Sequence, residues 1–154
     1  ALLTVVALLA GCQSGGSRPD GASASTNATD GGSAPAAAAA KGEAQLIARA
    51  NERWQLLIAG KFADAYDYLS PGFREVVDRD EYVQTMAKRQ VFWTKAVAGD
   101  QECSDGLCRV RVDVSYTVNM PVMGVGEVSS STTVIENWLI GEDGVSYFVP
   151  ARNR

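Results

Sequence analysis

The chain is expected to fold as an α+β domain, helices first and an antiparallel sheet second, and three observations carry that expectation. Between residues 43 and 87 the apolar side chains recur at three- and four-residue spacings, the period of one helix face. From residue 91 onward apolar and polar residues alternate, the period of a strand with one buried side. The turn dipeptides Asp105-Gly106 and Asp143-Gly144 fall where a run of hairpins needs them. Helices that precede such a run pack together on one face of the sheet.

Each element has its own warrant. In residues 43–59, Ile47, Ala50, Trp54, Leu57 and Ile58 form a single apolar stripe, and Gly60 ends it. Phe62, Ala65, Tyr66 and Leu69 repeat the period in a shorter helix. Ser70-Pro71-Gly72 is expected to stop that helix, because the residue before a proline is driven out of the helical region. Asp78, with Glu81 three positions on, has capping-box spacing and opens a third helix carrying Tyr82, Val83 and Met86. Residues 91–102 form the first strand. In 108–119 the alternation is cleanest: Val110, Val112, Val114, Tyr116 and Val118 take one face, Arg109, Arg111 and Asp113 the other. Residues 128–140 and 145–149 complete four strands.

The start of the chain reads differently. Residues 1–10 are almost wholly apolar and run into Leu9-Ala10-Gly11-Cys12, the hydrophobic region and cleavage site of a secretory signal. About ten to twelve apolar residues fall short of the roughly 20 that span a bilayer. With no initiator Met and no basic segment ahead of it, the signal is expected to be truncated at its start. Leu9-Ala10-Gly11-Cys12 resembles the lipobox of bacterial lipoproteins. That resemblance implies removal of residues 1–11 and acylation of Cys12 by fatty chains of the palmitate kind, and two or more chains anchor a protein stably. Gln13 is not the aspartate that retains enterobacterial lipoproteins at the inner membrane. The periplasmic face of the outer membrane is therefore the expected location. Residues 12–41 are expected to be a flexible tether, with Ala36–Ala40 the one run in it able to form a helical turn, since 13–40 hold no aromatic or large aliphatic side chain. As a random coil they would span roughly 30 Å. The folded domain is then 42–152, which contains every aromatic residue from Trp54 to Phe148.

Within that domain, the helix with Trp54 is followed by Gly60-Lys61-Phe62-Ala63-Asp64-Ala65-Tyr66-Asp67-Tyr68-Leu69-Ser70-Pro71. Later a strand with Trp138 leads through Asp143-Gly144 into an aromatic strand. Over 44–150 this pattern resembles the nuclear transport factor 2-like superfamily. The resemblance implies two to three helices against a curved four-stranded sheet, a cone that often holds an apolar pocket at its open end. The cystatin fold, one helix on a similar sheet, is the alternative, and three helical segments before the first strand favour the former.

Composition excludes several chemistries. Net charge is −4 with no basic run, which argues against a nucleic-acid partner. There is no histidine, so Ser-His-Asp and Cys-His hydrolysis and His-Asp dyads are absent. Cys103 and Cys108 flank the Asp105-Gly106 turn and, in an exported chain, are expected to pair as a disulfide worth ~2 kcal/mol. A Cys-x₄-Cys pair without histidine is a poor zinc site, and no metal or cofactor is expected. One catalytic option survives. The resemblance brings with it isomerases that use carboxylates and a phenol, for which Glu136 and Tyr116 are the candidates. Val134, Trp138 and Ile140 share the parity of Glu136, whereas Ile135 and Leu139 claim the other face. The expectation is a solvent-facing Glu136 and a core Tyr116. Candidate pocket or contact residues are Trp54, Tyr116, Met120, Met123 and Trp138, the two methionines lying in an unusually apolar loop.

The function expected from these features is that of a lipid-anchored envelope protein acting by binding. Its partners would be the bilayer, through acylated Cys12, and an envelope protein or small apolar ligand. A histidine-free isomerase or dehydratase is the alternative, and an accessory subunit without a pocket is a third reading. Cys12→Ser in the full-length precursor should release the protein from the membrane fraction or leave it unprocessed. Maturation and membrane association like wild type would overturn the lipobox reading.

Overall fold

The structure, a computed structural model, describes residues 34–120 and 126–151. Cys12, the tether as far as residue 33, and the loop 121–125 with Met123 lie outside the described residues. The elements run α1 (Ala34–Ile58), α2 (Phe62–Tyr66), α3 (Pro71–Arg74) and α4 (Arg79–Ala87). They are followed by β1 (Val91–Ser104), β2 (Leu107–Met120), β3 (Gly126–Ile140) and β4 (Ser146–Val149). The α+β expectation holds, and the strands form one antiparallel sheet in the order β1-β2-β3-β4.

The first helix is longer than its apolar stripe. It begins at Ala34, inside the stretch read from sequence as tether, so the folded unit starts ahead of residue 42. Two physical facts explain the difference. Alanine has the highest helix propensity, and Pro35 sits in the first turn, where a proline removes no helical hydrogen bond. The new turns also dock. Gly42 is buried, and a Cβ there would collide with Ile140 Cγ2. Gly144, at φ +72° in the β3–β4 turn, lies against the backbone of Ala38. Small side chains, which looked like the mark of a linker, let this helix approach the sheet closely.

Several side chains tie α1 to the sheet, among them Gln101 of β1, whose Nε2 donates to Glu43 O at 2.9 Å. Arg49 Nε donates to Ser146 O at 2.6 Å, and Ser146 Oγ donates to Gly42 O at 3.0 Å. Asn51 Oδ1 accepts from the Ala98 N–H at 2.9 Å, next to the irregularity in β1 between Ala98 and Gln101. The short helices differ from expectation in two respects: α2 ends at Tyr66, so that Leu69 lies outside it and bridges to Phe148, and a further short helix follows. Ser70-Pro71-Gly72 starts α3 as well as following α2, with Pro71 at the first helical position, where its fixed φ suits a helix start. Asp78 caps α4 as its spacing predicts, accepting from the Glu81 N–H at 2.8 Å.

In β2, Cys108, Val110, Val112 and Val114 face the helices and are buried, while Arg109, Arg111 and Asp113 face outward. The β1–β2 turn places Asp105 and Gly106 both at positive φ, 52° and 76°, the two-residue hairpin that matches strand twist. Cys103 lies opposite Cys108 in that hairpin, with Cα atoms 4.0 Å apart, and the two are joined as a disulfide. β4 is short and covers only Asn137–Ile140 of β3. Its other side is held by Tyr68–Ser70: the Phe148 N–H donates to Tyr68 O at 2.7 Å, and the Ser70 N–H to Phe148 O at 2.8 Å. The core lies between α1 and the inner sheet face, with Leu46, Leu69, Val110, Val112 and Trp138 fully buried.

Gly42→Ala tests the docked helix start. Alanine gains ~1 kcal/mol of helix propensity, but overpacking against Ile140 costs roughly 1–3 kcal/mol. Urea denaturation should show a net loss of stability. A stabilised variant would mean that the first turns of α1 do not lie on the sheet.

Candidate functional site

Glu136 is the residue around which a site is built. The solvent-facing placement expected from Ile135 and Leu139 is incorrect: Glu136 is 5 % exposed, whereas Ile135 is 47 % and Leu139 37 %. The parity of Val134, Trp138 and Ile140 wins because that face of β3 lies under α1, where the Trp138 indole is buried and Arg53 supplies the partner that lets Glu136 turn inward. The carboxylate is buried but not alone. Arg53 Nη1, from α1, donates to Glu136 Oε1 at 2.8 Å, and Trp138 Nε1 donates to Oε2 at 3.1 Å. Arg53 is itself 5 % exposed and stacks its guanidinium over the Phe148 ring at 3.7 Å.

Burial pushes the Glu136 carboxyl above its ordinary value, while the Arg53 charge and the hydrogen bonds around it pull the other way without cancelling the shift. The phenol of Tyr82 is likewise raised by burial, against the opposing pull of Arg53. Trp54 lies near enough to Glu136 to lower its carboxyl as a hydrogen-bonding neighbour, and Arg53 lowers the Tyr82 phenol both by its charge and in the same way. Neither contact reaches full hydrogen-bond geometry, and Arg53 Nε, Trp54 Nε1 and Tyr82 Oη are buried without a partner among the described residues.

These groups line one cavity of about 430 Å³ between α1, α4 and the end of the sheet. Its walls are apolar and aromatic: Trp54, Leu57, Met86, Trp93 and Phe148. Trp54 and Trp93 meet edge to face at 5.5 Å, which holds both rings in place. Glu81 and Arg89 stand at the exposed margin, with the Arg89 guanidinium 5.5 Å from the centre of the Trp93 ring. A larger groove of about 630 Å³ runs beside the disulfide, but its polar residues Glu102, Asp105, Arg109 and Asn137 are not buried. It has no buried polar group to orient a ligand.

The other sequence candidates separate. Trp54 lines the cavity, and Trp138 lies beneath it as the fully buried hydrogen-bond donor to Glu136. Tyr116 does not join Glu136. It pairs with Ser130 while Glu136 pairs with Val110, six positions along the sheet and therefore ~20 Å away. The carboxylate–phenol pair proposed from sequence is thus corrected: Glu136 and Tyr116 do not share a site. Met120 is exposed at the end of β2. Two residues that define the site were missed. Arg53 carries a readable signal, being seven positions after Leu46, three after Ala50 and four before Leu57, a cation inside the apolar stripe. Tyr82 was visible only as a helix-face aromatic.

No family model and no curated protein matches the chain. Among solved structures, the chain is similar to a SEC-C motif-containing protein from Rhodopseudomonas palustris, with a TM-score of 0.52 and 14 % identity. The match covers 67 % of this chain and 73 % of that one. At that identity it speaks to the fold alone.

The direction of the Glu136 shift has a measurable sign. Between its unfolded value, near 4.3, and its raised folded value, the native state binds more protons than the unfolded state. The contribution of Glu136 to stability therefore falls as pH rises through that window. Urea denaturation of wild type and Glu136→Gln across the acid-to-neutral range should show wild type losing stability relative to the variant as pH increases. A difference that is flat, or that grows with pH, would contradict a desolvation-dominated carboxyl.

Proposed function

We propose that this chain is a non-catalytic binding module of the bacterial envelope, held to a bilayer through acylated Cys12, whose domain receives an apolar ligand between α1 and α4. The observation that carries the reading is the Arg53–Glu136 ion pair on the wall of an aromatic cavity. A general base needs a carboxylate free to take a proton. Here both carboxylate oxygens are engaged by donors, so Glu136 serves as an anchor for Arg53 and a neutral polar patch in an apolar space. A cavity of this volume, mostly apolar with a few fixed polar groups, has the make-up of a small-molecule site.

The nuclear transport factor 2-like assignment belongs to the same proposal. It is supported by the long α1 carrying Trp54 against a four-stranded antiparallel sheet, and by a cavity at one end of that packing. The envelope location rests on Leu9-Ala10-Gly11-Cys12 and agrees with the Cys103–Cys108 disulfide, a bond that persists in oxidising compartments.

Nile red, an uncharged environment-sensitive dye, provides a direct test. Its fluorescence should rise saturably with one site per domain, and Thr85→Trp, which fills the cavity from its exposed margin, should abolish the rise while the fold is retained. No saturable signal in the folded wild type, or a signal indifferent to Thr85→Trp, would refute ligand binding at this cavity.

A further inference from the structure

The cavity wall carries more hydrogen-bond capacity than the protein uses. Arg53 Nε, Trp54 Nε1 and Tyr82 Oη belong to side chains of residues 5 %, 6 % and 8 % exposed, and none has a partner among the described residues. The first two are donors only, and the phenol can donate its O–H as well as accept. Buried polar groups in folded proteins are nearly always paired, so three unpaired ones on residues that line a single cavity are groups that an acceptor entering from outside can satisfy. The charge in the same space is already balanced. Glu136 neutralises Arg53 at 2.8 Å, and Arg89 lies at the exposed margin, in water, with its guanidinium over the Trp93 ring. A second carboxylate entering here would lose its hydration and meet the Glu136 charge, with no uncommitted buried cation among the described residues to receive it.

We infer that the cavity selects an uncharged, largely apolar molecule bearing a hydrogen-bond acceptor oxygen, of the acyl amide or ester class, over the corresponding carboxylate. The apolar part lies against Trp54, Leu57, Met86, Trp93 and Phe148, and the carbonyl oxygen accepts from the unpaired donors beside the ion pair. This rests on the proposal that the cavity binds a ligand, and it adds the chemistry by which the ligand is chosen.

Octanamide and octanoate differ only in the group at issue. Titrated into the full domain at about pH 8, where the acid is ionised, octanamide should bind roughly tenfold or more tightly than octanoate. It should also shift the Trp54 indole N–H resonance. Tyr82→Phe, which removes one donor and little volume, should weaken octanamide about three- to tenfold and leave the fold unchanged. Glu136→Gln, which leaves Arg53 charged without its counter-ion, should move the preference toward octanoate. Equal binding of the two probes, or tighter binding of octanoate to wild type, overturns the selectivity while leaving ligand binding itself in place. An octanamide affinity untouched by Tyr82→Phe overturns the donor assignment. Binding of neither probe, with Nile red also excluded, takes down the cavity reading as a whole.

Discussion

The buried contact between Arg53 and Glu136 is the constraint on which the arrangement of this domain depends. One partner lies in α1 and the other on the inner face of β3, so a single ion pair fixes both the rotation of the helix and which side of the strand faces it. Removing one member of such a pair is costly, about 3–5 kcal/mol, because the survivor stays buried and uncompensated. Replacing both by apolar side chains of similar size is often neutral. The pair is therefore better regarded as a device for specificity than as a source of stability. It sets which of two nearly equivalent strand parities is inward, and it places a fixed dipole on the wall of an otherwise apolar cavity.

The remaining tethers act in the same sense. Asn51 holds β1 where its register shifts, and Arg49 with Ser146 holds β4. All of these side chains lie on α1 or meet its backbone, and each answers a place where the sheet alone would leave the register or a polar group unspecified. The helix is thus a template along which three of the four strands are registered, with β2 held between its neighbours by an unbroken ladder to β3.

Much of the fold was legible in the sequence, because it was written in periods. The valine alternation of β2, the Asp78 cap of α4 and the Asp105-Gly106 hairpin are local signals with local causes, and each appears where expected. The site was only partly legible. Glu136 was found as a candidate but turned the wrong way, because a strand with apolar residues on both faces has no self-evident inside. The residue that decides its orientation lies 83 positions away in sequence. Arg53 carried its own signal, a cation on an apolar stripe, which has meaning only once a partner is known. The start of α1 was misjudged for a different reason. Alanine and glycine mark both a flexible linker and a helix that must come close to another surface, and composition does not distinguish the two.

That close approach has a mechanical consequence. Tension on the chain ahead of Ala34 reaches first the seam where Ala38 and Gly42 lie against Gly144 and Ile140, which is held by close packing and by the Ser146 and Gln101 hydrogen bonds to the Gly42 and Glu43 carbonyls. Contacts of this kind separate in succession when a helix is peeled from its end. The Asn51 clasp and the Arg53–Glu136 pair stand ~20 Å further along the helix axis and are loaded only afterwards. The first turns of α1 thus form a yielding section in series with a stiff one. A pull can lengthen the domain at its margin while the walls of the cavity keep their shape.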